Sequence, residues 1–301
     1  MADQTILLCG GTGMLGGEVA NRLAARGVRL RALVRPKTDA AALEALGATV
    51  VRGDLRDRPS LDPAVAGVDT VIGTATAMVR MIMGDKELSL HDVDDVGYAN
   101  LIDACERAGV QRFVYASMPT PSTGGTALDV AKAATERRLQ ASTLREVIVR
   151  ADMIQESHLS TMAGFDWPHG KVTIFGRGRT PNAYISNGDY AEALVRLALA
   201  GDPPRLVEVG GPEAITRDEA AAEFAEAVGR PMRVRHIPRP VLWAGAHLLG
   251  PVQPIGALMM GSMLEFDTTD WHLNAEQLRA LGIDPKPASR YIREQVAHSP
   301  A

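Results

Sequence analysis

Short apolar runs alternate with longer stretches in which apolar residues recur every three or four positions, and the alternation holds across the first half of the chain. Thr5–Cys9 reads as a strand: its apolar run is too short for a helix and opens on a β-branched residue. It runs into a glycine-rich turn, after which Leu15, Val19, Leu23 and Ala24 share one helical face. The unit then repeats as Leu30–Val34 and Ala40–Leu46, Thr49–Arg52 and Ser60–Val65, Thr70–Ala75 and roughly His91–Ala108, Arg112–Ala116 and Ala127–Gln140, closing on Glu146–Arg150. Strands that are apolar throughout are covered on both faces, and strands joined through helices run parallel. Six of them predict an α/β fold, a doubly wound parallel sheet of the Rossmann kind.

Beyond Arg150 the alternation loosens, and Gly, Pro and polar residues from Gly164 to Pro181 break the chain into turns and short strands. A dinucleotide-binding domain over 1–152 and a smaller C-terminal α+β substrate lobe over 153–301, interwoven with the first, are expected. Within the lobe Asn187–Ala200 and Thr216–Val228 read as helices, the second opened by the capping-box spacing Thr216-x-x-Glu219, with strands at Leu206–Val209 and Met232–His236. The apolar tract Pro240–Phe266 is interrupted by Gly245, His247, Gly250-Pro251 and Pro254, so it reads as lobe helices and not as a membrane span.

Charge narrows the partners. Thirty-two basic against 36 acidic residues, a net charge of −4 and no basic block exclude a nucleic-acid footprint. Two cysteines, Cys9 and Cys105, without metal or redox spacing, and an opening Met1-Ala2-Asp3-Gln4 without a basic leader, point to a reduced, cytoplasmic setting. Seven scattered histidines carry no metal-ligand spacing, and no metal is expected. A homo-oligomer stays open.

The chemistry concentrates at strand ends. Gly10-Gly11-Thr12-Gly13-Met14-Leu15-Gly16 lies between an expected strand and an expected helix, the context in which a glycine pattern reads as a dinucleotide turn. The first glycines permit the tight turn, Gly13 lets backbone approach a pyrophosphate, and Gly16 lets helix and strand pack; the bland alternative is a helix start that binds nothing. Where an NAD-selective site carries an acid, the second strand ends Val34-Arg35-Pro36-Lys37. A guanidinium matches a 2′-phosphate bidentately and Lys37 adds charge, so NADP(H) is favoured, with NAD(H) left open; Arg35 as a solvated loop residue is the alternative. Asp54 and Leu55 are placed to hold an adenine, or else form an Asx turn. Thr74, Ala75 and Thr76 end the fourth strand beside the nicotinamide ribose, and Met153, after the sixth, is expected to border the same cleft. The methionine-rich Met78–Met83 and Met259–Met263 line an adaptable apolar pocket or simply pack the core.

The glycine turn, Val34-Arg35-Pro36, Gly53-Asp54-Leu55, Phe113-Val114-Tyr115-Ala116-Ser117, Lys132 to Glu136 and Gly210-Gly211-Pro212 together resemble the atypical short-chain dehydrogenase/reductases, specifically the NmrA-like branch with its isoflavone-reductase-like and triphenylmethane-reductase-like enzymes. Ordinary members carry Tyr-x-x-x-Lys on one helix; here Leu128 stands four before Lys132 and can move no proton. The resemblance implies that Lys132 is either the acid/base group or an anchor for the nicotinamide ribose, while the residues alone also allow an i,i+4 pair with Glu136. Ser117, ending the fifth strand, polarises a carbonyl or caps a turn, and Tyr98 and Tyr184 are candidates for a displaced phenol. The expected function is an NADP(H)-dependent oxidoreductase reducing an apolar or aromatic carbonyl, quinone or conjugated double bond; the alternative is a non-catalytic regulator or assembly subunit.

Overall fold

The structure is a computed structural model and describes residues 4–85, 87–119 and 125–298; the opening Met1–Asp3 lies outside the described residues. Two compact units interleave in sequence: one holds the chain through Arg150 together with Tyr190–Val207, the other Ala151–Asp189 and the chain from Glu208 onward.

In chain order the first unit runs β1 (Thr5–Cys9), α1 (Met14–Ala25), β2 (Arg29–Val34), α2 (Ala41–Ala45), β3 (Thr49–Arg52), α3 (Asp62–Val65), β4 (Thr70–Gly73), α4 (Met78–Ile82), α5 (Tyr98–Ala108), β5 (Arg112–Ser117), α6 (Ala127–Ala141) and β6 (Arg145–Ala151). The sheet order is β3-β2-β1-β4-β5-β6, extended by a seventh strand, Leu206–Val209. Pairs among the first six strands are parallel, with Ile6 opposite both Leu30 and Thr70, and Tyr115 opposite Ile148. Ile6, Leu7 and Leu8 on β1 and Val71 and Ile72 on β4 have no exposed surface, which is what a strand covered on both faces demands. The order reverses between β1 and β4, so their carboxyl ends open at the switch point where ligands bind in such sheets.

The second unit contains α7 (Gln155–His158) and a three-stranded sheet made by β7 (Phe165–Asp166) and β8 (Lys171–Phe175) with a later strand. Then come α8 (Asn187–Leu199), whose residues from Tyr190 belong to the first unit, and β9 (Leu206–Val209). The sequence assigns β9 to the C-terminal lobe; it instead extends the large sheet, and its half-exposed alternation is that of an edge strand. The remaining elements are α9 (Arg217–Val228), β10 (Arg233–Ile237), α10 (Arg239–Leu248), α11 (Pro254–Thr268), α12 (Glu276–Ala280) and α13 (Ala288–His298). Thr216 and Glu219 close the expected capping box on α9. The core of this unit joins Phe165, Trp167, Tyr184, Phe224 and Tyr291. Among the described residues no helix is long and apolar enough to cross a membrane.

Candidate functional site

β1 delivers the chain into Gly10, whose φ of +96° a side chain would resist. A Cβ there would also lie 2.6 Å from the Ala75 nitrogen at the end of β4, so the turn and the β4 end are in direct contact. The Gly13 amide donates to the Gly10 carbonyl at 2.9 Å and Gly13 starts α1 without a side-chain cap. No acidic residue stands in the first turn, and Thr12, Gly13 and Met14 are exposed. A helix start of this kind presents N–H groups and a positive dipole end to an anion. Gly16 faces the turn so closely that a Cβ would come within 2.6 Å of the Gly10 carbonyl carbon.

Arg35 follows β2 directly and is half-buried; Lys37 is exposed. Burial and the neighbouring Arg80 pull the Arg35 guanidinium below its ordinary range, which leaves it charged all the same. Nearby acids are otherwise engaged. Asp54 accepts from the Arg56 amide at 2.9 Å and from its guanidinium at 2.9 and 3.1 Å, and Asp85 pairs with Arg80 at 2.8 Å. The Asp54 carboxylate thus closes an Asx turn, held below the usual carboxylate range chiefly by Arg56, while Leu55 is buried in the core. Arg52, at the end of β3, donates to the carbonyls of Thr38 at 2.6 Å and Arg35 at 3.2 Å and ties down the loop that carries Arg35 and Lys37.

A buried polar network lies behind the ends of β4, β5 and β6. The Thr74 hydroxyl donates to the Cys9 carbonyl at 3.0 Å and Tyr98 donates its phenol proton to the Ala75 carbonyl at 2.9 Å. Asp94, on a π-helical stretch over His91–Gly97, has no exposed surface and accepts from the Ala77 amide at 2.9 Å. Burial raises its carboxyl pKa, opposed mainly by Lys132. Lys132 is itself buried, donates to the Ala116 carbonyl at 2.9 Å, and stands 4.6 Å over the Tyr115 ring. Burial lowers the Lys132 pKa against the opposing pull of Asp94 and Glu136. The Ser117 hydroxyl donates to Glu136 at 2.6 Å; Glu136 also takes Arg150 at 2.6 Å. Tyr190 closes the network by reaching the carbonyls of Ser117 at 3.0 Å and Val149 at 2.9 Å.

The sequence model of the NmrA-like family matches residues 2–249. The chain belongs to that family. Among relatives it is 28% identical over 235 residues to quinone oxidoreductase 2 of Escherichia coli, covering 77% of each chain. It is 28% identical over 240 residues to the photosystem II assembly factor Ycf39 of Synechocystis sp., covering 79% of this chain and 72% of that protein. A shorter match, 42% over 113 residues, is to sterol demethylase protein B of Methylococcus capsulatus and spans 38% of this chain and 34% of that protein. The structure of the NADPH-dependent quinone oxidoreductase QOR2 of Escherichia coli complexed with NADPH shares the fold at a TM-score of 0.76 and 23% identity, over 97% of this chain and 99% of that one.

In this NmrA-like protein the first unit gathers Gly10–Gly16, Thr74 and Ala75 at one sheet edge, with Ser117 and Lys132 joined to each other through the end of β5. The i,i+4 pairing of Lys132 with Glu136 does not form, since Glu136 is taken by Ser117 and Arg150. Met153 is carried by the second unit and buried in its core beside Tyr184. Tyr98 and Tyr184 are both buried, and burial pushes both phenols above their ordinary pKa. The Met78–Met83 tract forms α4, a short helix with no buried residue, and among the described residues no cluster of metal-ligating side chains occurs. Three residues had no sequence reading: Asp94, hidden in an acidic run on an expected helix; Arg52, an ordinary strand-end arginine; and Tyr190, 73 positions from Ser117.

Proposed function

We propose that this chain is an NADPH-dependent reductase of apolar or aromatic acceptors that take hydride without a strong acid at their side, quinones foremost. The observation that carries the reading is the uncapped, acid-free start of α1 after β1, together with an Arg35 at the end of the adjacent strand β2 for which no ion pair forms among the described residues. Thr12, Gly13, Met14 and Leu15 would hold the pyrophosphate, Arg35 and Lys37 the 2′-phosphate, and Thr74, Ala75 and Thr76 the nicotinamide-side ribose. When bound, NADPH supplies the hydride. The side chains of this protein then orient more than they protonate. Lys132 spends one donor on the Ala116 carbonyl and keeps two for ribose hydroxyls, and the Ser117 hydroxyl donates its hydrogen bond to Glu136. The proton that completes a hydroquinone therefore comes from solvent, and quinone plus NADPH plus H⁺ gives hydroquinone plus NADP⁺. Kinship with a quinone oxidoreductase agrees with this.

A second reading, a non-catalytic NAD(P)H-binding regulator or assembly factor, is favoured by Leu128 in place of a phenol and by kinship with Ycf39. Purified protein would be assayed for NADPH oxidation with quinones, enones, imines, azo dyes and triarylmethane dyes, with Lys132→Ala and Arg35→Ala in parallel. Turnover of quinones that falls in both variants is expected. Tight NADPH binding without turnover on the whole panel would move the conclusion to the second reading, and no binding of either nucleotide would overturn both.

A further inference from the structure

We infer that the helical hairpin α10–α11 seats this protein on an anionic lipid surface. α10 buries only Leu242 and Gly245, and its outer face exposes 51% of Val241, 54% of Trp243 and 70% of Leu248. The turn that follows exposes 82% of Val252. A solvent-facing helix ordinarily carries charge on its outer side; this one carries none there beyond the imidazole of His247, which stacks on Trp243. The hairpin is preformed, because a side chain at Gly245 would overlap the Met260 sulfur of α11. Its base is fixed by Asp267, which accepts from Arg239 at 2.6 Å and from the Arg177 and Gly178 amides at 2.8 and 2.7 Å.

Charge decides what covers this face. From Gly229 to Leu264 the chain holds no Asp, Glu or Lys but four arginines, Arg230, Arg233, Arg235 and Arg239, in a protein whose net charge is −4. Arg239 is neutralised by Asp267, whereas Arg233 and Arg235 are exposed on β10 and make no ion pair among the described residues. A second copy docked twofold on this segment would bring together two acid-free stretches that each carry arginines, which disfavours it. Exposed Trp and Leu on α10, which directly follows a strand bearing two exposed arginines without ion pairs, match the requirements of an interfacial helix: apolar groups enter the acyl boundary and cations meet lipid phosphates.

Flotation of the full chain with vesicles of phosphatidylcholine alone, or mixed with phosphatidylglycerol, tests this. Binding to the mixed vesicles is expected, weakened about fivefold by each of Arg233→Gln and Arg235→Gln and by added salt, and lost in Trp243→Glu and Leu248→Glu. These residues are exposed, so the variants keep the fold, and unchanged circular dichroism with unchanged NADPH affinity verifies it. Absence of the wild type from both vesicle types, or binding indifferent to Trp243→Glu, would overturn the inference. So would a dimer in solution that Trp243→Glu splits, which would assign the face to a second copy.

Discussion

Gly16→Ala and Gly17→Ala place the same methyl group on adjacent residues of α1 and should have opposite effects. At Gly16 the new Cβ would lie 2.6 Å from the Gly10 carbonyl carbon and 2.9 Å from the Gly11 Cα, with the Gly10 oxygen nearer still. Carbon atoms in contact sit at about 3.5–4 Å, so the start of α1 must retreat from the turn by roughly 1 Å. The obstacles are backbone, which no rotamer change relieves, so the cost falls near the upper end of the usual overpacking range, about 3 kcal/mol. At about 2 °C per kcal/mol for a chain of this size, melting should drop by roughly 6 °C. The retreat also carries the first-turn N–H groups away from their anion, and NADPH affinity should fall at least tenfold, which is about 1.4 kcal/mol. At Gly17 the nearest atom to a new Cβ is the Gly11 oxygen at 3.8 Å, an ordinary contact. Replacing glycine there in a helix interior gains up to about 1 kcal/mol and should leave affinity unchanged. Thermal unfolding and fluorescence titration with NADPH read both variants. Equal stability of Gly16→Ala and Gly17→Ala would refute the close approach of helix and turn, and with it the construction of the site.

Arg35→Ala should lower NADPH affinity about 10- to 100-fold while changing NADH affinity little, the loss expected for one or two charge-assisted bonds. Arg52→Gln should reduce that same preference severalfold by freeing the loop carbonyls of Arg35 and Thr38, and Arg52→Lys should recover part of it; a ratio of NADPH to NADH affinity unmoved in Arg52→Gln would reject the role. Glu136→Gln should destabilise the first unit by about 3 kcal/mol in urea unfolding, the low end for a broken buried pair because 25% of the Arg150 side chain still meets solvent. Burial drops the His158 imidazole to a pKa of about 4 from 6.5. The unfolded chain therefore takes up a proton that the folded chain refuses, and stability falls as pH drops from 6.5 towards 4, by about 3 kcal/mol for this residue. His158→Gln should flatten that slope, measured as the difference from wild type in urea midpoints across the window.

Strands announce themselves where their chemistry is local. Thr5–Cys9, Thr49–Arg52 and Leu206–Val209 take the ranges their apolar pattern predicts, and the glycine turn is legible because Gly10 takes a positive φ and Gly16 lies against the backbone of the turn. Legibility ends where partners are remote. β9 reads correctly as a strand, yet nothing in its four residues says which sheet it joins. Asp94 sits in what the spacing predicts as one helix over His91–Ala108, but its first turns are π-helical, and only the packed fold reveals a fully buried carboxylate beside Lys132. For Ser117 the sequence leaves polarising and capping open, and it gives no sign that the hydroxyl donates to Glu136, 19 residues on. Helices α12 and α13 escape the reading: α12 is one short turn with a single buried residue, Leu278, while α13 does carry a readable stripe of Ala288, Tyr291, Ile292 and Val296.

An inventory of protons restricts the chemistry more than the family name does. Of the groups near the sheet edge that could in principle protonate a reduced acceptor, three are committed, the Tyr98 phenol to Ala75, the Tyr190 phenol to Ser117 and Val149 and the Ser117 hydroxyl to Glu136; Lys132 gives one donor to Ala116, and the Tyr115 phenol has no exposed surface. Burial raises the Tyr98 and Tyr190 phenols and makes their loss of a proton harder still. Ketone reduction builds an alkoxide that needs an acid in the transition state. A quinone spreads the charge over a ring that water protonates afterwards, and a cationic dye needs no proton at all. Replacement of the usual tyrosine by Leu128 is thus compatible with catalysis provided the acceptor is electron-poor, and the ratio of quinone to simple-ketone turnover is the quantity that distinguishes this mechanism from one with a concealed acid.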